Sequence, residues 1–203
     1  MVCLKTLYVS DLDGTLLSPE KRITPRTASI INTLIEQGLL FSINSARSLM
    51  GAELLNLRDI HFKTPLILMN GALFYDLENR HVADKCEMDG ETVSRVLDLC
   101  REGGKNPQLY RVEGDLVRVT FMTPTNPLEW EFLKERGLHF SDRIVQVEAY
   151  DREPPAVYFS TQDTYEKLKR ISDRLHELPG VTHVLYQDNY HEDNWYLEVF
   201  SDQ

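Results

Sequence analysis

The chain has 203 residues, of which 42% are hydrophobic, enough for one large or two small globular domains with buried cores. Its formal net charge is −10 at pH 7, and the acidic residues are spread from Asp11 to Asp202. This distribution argues against a nucleic-acid backbone or an anionic membrane as a partner. An anionic ligand would need a local positive site, such as a metal ion, a helix N-terminus or a few basic side chains.

The first third of the chain predicts alternating strands and helices. Thr24 can cap a helix that has Pro25 in its first position, and Gly38 is a natural stop for that helix. Ile30, Ile31, Leu34 and Ile35 are expected to form its apolar face. The other expected elements are strands over residues 4–10, 39–44 and 65–70 and a helix over 48–57. This alternation implies a parallel sheet with right-handed crossovers, as in Rossmann-like α/β proteins.

The remaining two thirds predict a second, mixed α/β domain. Two strands flank the turn Glu113-Gly114-Asp115 and are expected to form a hairpin. In chain order, the expected helices cover residues 91–100, 127–136 and 165–178, and the expected strands cover 108–112, 116–122, the vicinity of 145, 156–160, 182–186 and 195–200.

Cysteine usage and the N-terminus bear on localisation. Cys3, Cys86 and Cys100 lack the short pairwise spacing of a zinc site or a redox motif, so we interpret them as reduced thiols. The N-terminal apolar stretch is interrupted by Lys5 and runs directly into Asp11, unlike a signal peptide. No sequence segment approaches membrane-spanning length. We therefore predict a cytoplasmic protein.

Two carboxylates follow the first predicted strand directly, in the segment Asp11-Leu12-Asp13-Gly14-Thr15. Phosphoryl transfer needs an in-line nucleophile, neutralisation of oxygen charge and a proton donor for the leaving oxygen. Asp11 could attack phosphorus, and Asp13 could protonate the leaving group and later activate water. Gly14 would let the loop N–H groups approach the phosphoryl group. The alternative interpretation is an acidic turn in which Gly14 only supplies the bend.

An aspartate pair followed by Gly-Thr after the first strand resembles the haloacid dehalogenase superfamily. Phe41-Ser42-Ile43-Asn44-Ser45-Ala46-Arg47 ends the second predicted strand where Cof-type members of that superfamily carry Thr-Gly-Arg. Ser45 then matches the phosphate-binding hydroxyl, Arg47 stays in register, and Ala46 replaces the usual glycine. Asn70-Gly71-Ala72 matches the Cof-type Asn-Gly-Ala segment after the third strand.

The resemblance also implies a domain arrangement. Residues 1–79 correspond to an incomplete Rossmann-like core, residues 80–194 to an inserted α/β cap, and residues 195–203 to a strand returning toward the core. Family members continue with a helix that bears a catalytic lysine and with an acidic Gly-Asp and Asn-Asp cluster that helps to bind Mg²⁺. Neither is present in this sequence, so we expect the chain to be truncated before these motifs, nearly inactive alone, and prone to self-association through an exposed sheet edge.

By this resemblance, the chain is a Mg²⁺-dependent phosphatase that hydrolyses a small phosphorylated metabolite, such as a sugar phosphate, through an aspartyl-phosphate. Asp11 and Asp13 would be the catalytic residues and the Mg²⁺ ligands. The implied phosphate-binding residues are Leu12, Gly14, Ser45, Ala46, Arg47, Asn70 and Gly71. The competing hypothesis is a catalytically inactive remnant of the fold that binds phosphate or a partner without turnover.

Two weaker patterns are interpreted as ordinary surface features. His191-Glu192-Asp193-Asn194 contains metal-ligand types, but four consecutive loop residues cannot easily converge on one ion, so we interpret the segment as a polar loop. Lys21-Arg22 could steer an anionic substrate, although a solvated charge pair before a helix is the simpler interpretation.

Overall fold

The computed structural model describes residues 5–188 and 191–203 and has an α/β fold, as predicted. The chain forms two compact units, each with its own sheet. The units comprise Met1–Lys85 with Gly114–Leu116, and Cys86–Glu113 with Val117–Gln203. The first unit therefore extends beyond the expected core boundary at residue 79. Within the described ranges, no helix is long and apolar enough to cross a membrane.

The first unit is built on a five-stranded sheet in the order β1-β2-β3-β4-β5. Its strands and helices are β1 Leu7–Asp11, α1 Pro25–Glu36, β2 Leu40–Asn44, α2 Leu49–Glu53, β3 Leu66–Leu68, β4 Leu73–Asp76 and β5 His81–Lys85. The pairs β1–β2 and β2–β3 are parallel, which confirms the predicted arrangement. The sequence analysis missed β4 and β5, which continue the sheet with antiparallel pairing.

Helix α1 begins as predicted. The Thr24 hydroxyl accepts a hydrogen bond from the Thr27 N–H at 3.1 Å, so one N–H that the helix leaves unpaired is satisfied. The predicted apolar face is only partly buried. Ile31 and Ile35 are buried, whereas Ile30 is 52% exposed and Leu34 is 42% exposed.

Helix α2 is shorter than predicted and ends at Glu53. Asn56, which was expected to continue the helix, instead pairs with the backbone of Ile23. Its side-chain oxygen accepts from the Ile23 N–H and its NH₂ donates to the Ile23 carbonyl, both at 2.9 Å. Such side-chain to backbone bonds compete with helix formation.

The second unit contains a six-stranded sheet in the order β10-β11-β9-β6-β7-β8. Its elements are α3 Gly90–Glu102, β6 Gln108–Glu113, β7 Leu116–Phe121, α4 Pro127–His139, β8 Ile144–Gln146, β9 Tyr158–Asp163, α5 Tyr165–Leu175, β10 Val181–Gln187 and β11 Trp195–Ser201. Apolar residues of α3 and α5 pack with Leu109, Phe159 and Leu197 of the sheet. The segment 195–203, expected to return toward the core, contributes β11, which pairs with β9 and β10 inside this unit.

A charged cluster lies in the interior of the second unit. The Lys105 ammonium, with a fully buried side chain, lies 3.1 Å from an Asp163 oxygen and 3.6 Å from a Glu129 oxygen. It also donates to the Thr125 hydroxyl and to the Gln162 carbonyl, both at 2.8 Å. Burial raises the pKa of Glu129 to about 7, against the opposing effect of Lys105. This unit therefore contains a carboxyl group that changes charge near neutral pH.

Candidate active site

The loop after β1 presents the two predicted carboxylates. Asp11 is the last residue of β1, and its carboxylate accepts a hydrogen bond from the Leu12 N–H at 2.7 Å. Leu12 is fully buried and anchors the loop, while Asp13 and Gly14 are exposed. Gly14 has a φ of 74°, which favours glycine. The chain therefore turns directly after Asp11, with both carboxylates at the carboxyl end of β1.

The loop after β2 lies beside the loop after β1. Asn44, the last residue of β2, is paired in register with Asp11. The next residue, Ser45, is 5% exposed, and its hydroxyl accepts from the Arg47 N–H at 3.2 Å. Ala46 is exposed at the tip of this turn. Since β1 and β2 are parallel, their loops emerge at one edge of the sheet, which brings Ser45 and Arg47 to the aspartate loop.

A bidentate ion pair joins the loop after β1 to the loop after β2. Arg47 donates from Nε to one oxygen of Asp13 and from Nη2 to the other, each at 2.7 Å. This fork geometry suits a carboxylate and would equally suit a phosphate. The hydrogen bonds from Arg47 hold the pKa of Asp13 below its ordinary value, and the charges of Arg47 and Lys21 act in the same direction. The site therefore places cationic groups beside the carboxylates in a chain of net charge −10.

The loop after β3 lies beside the other two loops and has an unusual backbone conformation. Met69, Asn70 and Gly71 all have positive φ, at 54°, 56° and 97°. The Met69 N–H donates to the Arg47 carbonyl at 3.1 Å, and the Asn70 N–H lies 3.4 Å from the Ser45 carbonyl. Positive φ is uncommon for residues other than glycine and concentrates at functional sites. These bonds fix the third loop to the second.

The structure thus brings the nine predicted site residues to three adjacent loops of the first unit. Sequence reasoning did not single out three contributors: Asn44, Met69 and, as more than a solvated charge, Lys21. A polar residue at the end of a buried strand is a signal that could have identified Asn44. No comparable signal marks Met69, because methionine is not a typical turn residue.

The loop 191–194 serves a structural purpose. Asn194 is 2% exposed, and its amide donates to Gln162 at 3.1 Å and to Asp188 at 3.0 Å. Its oxygen accepts from Asn126 at 2.9 Å. These bonds agree with the polar-loop interpretation. Within residues 5–188 and 191–203, no group of three His, Cys, Asp or Glu residues could hold a metal ion.

Comparison with known proteins identifies the family. A profile of the haloacid dehalogenase-like hydrolases matches residues 8–203. The chain belongs to the haloacid dehalogenase-like hydrolases. The match covers both units, so it includes the aspartate loop and the second sheet.

Individual relatives of this haloacid dehalogenase-like hydrolase are named as phosphatases. A putative phosphatase from Buchnera aphidicola subsp. Schizaphis graminum is 45% identical over 96 residues, covering 47% of this chain and 33% of the relative. An HMP-PP phosphatase from Serratia proteamaculans is 24% identical over 134 residues, covering 66% of this chain and 47% of the relative. The chain thus spans between a third and a half of the length of these curated relatives.

A solved structure supports the fold. A sugar phosphatase of subclass IIB of the superfamily aligns with a TM-score of 0.63 and 21% identity, over 98% of this chain and 70% of that protein. At this identity the likeness concerns the fold alone. It shows that both sheets of this hydrolase have counterparts in one known architecture.

Proposed function

We propose that this site performs Mg²⁺-dependent hydrolysis of a phosphomonoester through a covalent intermediate on Asp11. The observation that carries the proposal is the Arg47 fork on Asp13 at the loop that begins with Asp11, because it combines a nucleophile, an acid–base group and an anion-binding guanidinium. Membership of the haloacid dehalogenase-like hydrolases and relatives named as phosphatases support it.

The chemistry divides between the two aspartates. A carboxylate oxygen of Asp11 attacks phosphorus, the bond from phosphorus to the leaving oxygen breaks, and Asp13 gives that oxygen a proton. Asp13 then removes a proton from water, which attacks phosphorus, releases inorganic phosphate and regenerates Asp11. A phosphoryl group can accept both N–H donors of Arg47, so its arrival would release Asp13 from the ion pair. Asp13 could then take up from solvent the proton that it gives to the leaving oxygen, and it recovers a proton from the attacking water.

The donors present fit a hydrated magnesium ion. An exposed carboxylate oxygen of Asp11 and the backbone carbonyl of Asp13 would be its protein ligands, and oxygen ligands suit Mg²⁺, which usually keeps several waters. The bound ion would neutralise charge on the phosphoryl oxygens. Ser45, Arg47 and the loop N–H groups would hold the same oxygens from the protein side.

The substrate in this proposal is a small phosphorylated metabolite of the cytoplasm. Two relatives differ in what their names specify, one a sugar phosphatase and the other an HMP-PP phosphatase. Sugar phosphates and other small phosphorylated metabolites are therefore tested together. The second unit would act as the cap that selects among such substrates.

A second candidate is phosphate binding without turnover. It is favoured by the Arg47 fork, because two N–H donors that fit the Asp13 carboxylate also fit a phosphate and can bind it without any bond being made or broken. In this alternative, Ser45 and Arg47 bind the anion and Asp11 never becomes phosphorylated.

One experiment distinguishes hydrolysis from phosphate binding without turnover. Phosphate release by the 203-residue chain is measured with Mg²⁺ against sugar phosphates and other phosphorylated metabolites, beside Asp11→Asn and the exposed control Asp142→Asn. Release that Asp11→Asn abolishes and Asp142→Asn retains supports hydrolysis. Wild-type release by Asp11→Asn would exclude the covalent route. Phosphate binding detected by calorimetry without release would favour the second candidate.

A further inference from the structure

A cavity of about 220 Å³ lies within the second unit, beside the C-terminal half of α3. Residues 97–101 of that helix form one wall. Met122, which follows β7, and residues 149–152 of the loop between β8 and β9 form the others. All of these residues belong to the second unit. The walls are therefore formed without any contribution from the first unit.

The apolar lining of this cavity is held in place by hydrogen bonds. Leu97 is buried, and Tyr150 packs against the same hydrophobic core. The Tyr150 hydroxyl donates to the Pro107 carbonyl and accepts from the Met122 N–H at 3.3 Å, so the orientation of its ring is fixed. Aromatic rings and thioether sulfur atoms both make favourable contacts with an aromatic ring. The lining therefore suits a small aromatic group.

Two guanidinium groups line the cavity together with one carboxylate. Arg101 and Arg152 both pair with Asp98, at 2.9 and 2.7 Å. The hydrogen bond from Arg152, with the charges of both arginines, holds the pKa of Asp98 below its ordinary value. Lys105 also lines the cavity, but its ammonium is paired with Asp163 at 3.1 Å. Two positive charges thus adjoin one negative charge, which favours an anionic ligand.

Both arginines keep donors that no protein acceptor uses. The Arg152 Nη2 that pairs with Asp98 also donates to the Ser94 carbonyl at 2.6 Å. In the part of the chain that the structure describes, Nε and Nη1 of Arg101 and of Arg152 have no hydrogen-bond partner. Carboxylates and phosphates are the usual acceptors for such donors. The cavity therefore offers N–H groups for one further anion.

We propose that this cavity binds a small aromatic acid, with its ring against Met122 and Tyr150 and its acidic group at Arg101 and Arg152. A cavity of about 150 Å³ holds benzene, so the volume here fits one ring with one acidic group. A mostly apolar lining with a few fixed polar groups is typical of small-molecule sites. The site includes no residue of the proposed active site.

Methyl NMR of the 203-residue chain titrated with benzoate tests the proposal. Benzoate has no phosphoryl group, so the result is independent of hydrolysis. We expect saturable shifts of the Met122 and Ala149 methyl signals with a Kd at or below about 1 mM, because the ligand ring shifts the resonances of nearby protons. The methyl groups of Met50 and Ala52, buried in the first unit, are internal controls. No saturable shift at Met122 or Ala149 up to about 10 mM benzoate would overturn the proposal.

Charge-removing variants locate the acidic group. Arg101→Gln should raise the benzoate Kd at least about fivefold, because the carboxylate loses a charged donor. Arg95→Gln is the matched control, since Arg95 lies on the same helix and pairs with Glu91 at 2.6 Å but does not line the cavity. Arg47→Gln should leave the Kd unchanged. Weaker binding by Arg47→Gln with none by Arg101→Gln would place benzoate at the candidate active site and refute the proposal.

Two analogues separate the contributions of the ring and the charge. Benzyl alcohol keeps the ring without the charge, and acetate keeps the charge without the ring. Each should bind at least about tenfold more weakly than benzoate, since each loses one of the two sets of contacts. Acetate that bound as tightly as benzoate would reveal only a surface contact between an anion and the arginines, which would contradict an aromatic-acid site.

Discussion

Glu129→Gln should change how the stability of the second unit depends on pH. In the folded chain Glu129 is buried and its pKa is raised to about 7, against an ordinary value of 4.5. The folded state therefore binds the proton more tightly than the unfolded state. The stabilising contribution of this tighter proton binding is complete below pH 4.5 and is lost as the pH rises from there through about 7.

The size of the effect follows from the two pKa values. A separation from 4.5 to about 7 corresponds to roughly 3 kcal/mol, of which about 2.5 kcal/mol falls between pH 5 and pH 8. Glutamine has the shape of the protonated acid and does not titrate, and Lys105 keeps Asp163 as its ionic partner at 3.1 Å. We expect the variant to gain about 2.5 kcal/mol relative to wild type between pH 5 and pH 8.

Urea unfolding followed by tryptophan fluorescence measures this gain. Both tryptophans, Trp130 and Trp195, lie in the second unit, so the signal reports the unit that contains Glu129. Glu131→Gln is the control, because Glu131 lies on the same helix but is exposed. Parallel pH profiles for wild type and Glu129→Gln from pH 5 to pH 8 would refute the reasoning.

The remaining predictions concern the first unit. Asp13→Asn should slow phosphate release by roughly a hundred- to ten-thousand-fold, the range for a positioned acid–base group, and acid quenching should trap phosphate on Asp11; unchanged kinetics would contradict this role. Mg²⁺ should bind weakly, because only Asp11 and Asp13 are proposed as its protein ligands, and tight stoichiometric binding in calorimetry would count against that donor set. Thr24→Ala should lower the free energy of unfolding by about 1 kcal/mol, read from denaturation followed by circular dichroism, because the Thr27 N–H loses its acceptor; Thr24→Ser should retain most of that stability.

Local signals were enough to predict the part of the fold that supports the site. β1, α1 and β2 each have apolar patterns bounded by strong signals such as Thr24-Pro25 and Gly38. β4 and β5 were missed because each is short and their antiparallel pairing depends on contacts between strands. The turn between β4 and β5 did carry a sequence signal, because Asp76 and Asn79 are residue types that favour turns. In the structure the Asp76 carboxylate accepts a hydrogen bond from the Asn79 N–H at 2.9 Å.

The candidate site, like the fold, could be predicted from the sequence only in part. Asp11 and Asp13 are adjacent in sequence and follow a strand, so their shared location could be predicted. The fork between Arg47 and Asp13 joins residues 34 positions apart and depends on side-chain geometry that composition does not reveal. The left-handed backbone at Met69 was equally hidden, because positive φ is uncommon for methionine and the bond from the Met69 N–H to the Arg47 carbonyl joins two different loops.

The left-handed backbone of Asn70 predicts how this loop responds to an amino acid of opposite chirality. A D-amino acid reaches positive φ without the Cβ clash that an L-residue meets, so D-asparagine at position 70, introduced by chemical synthesis and ligation, should fit the observed φ of 56° with less strain. The L-residue thus holds the edge of the site in a shape that a mirror-image residue would adopt more easily. At that φ the Asn70 backbone N–H lies 3.4 Å from the Ser45 carbonyl, so a D-residue that keeps the same φ would also keep this contact between the two loops.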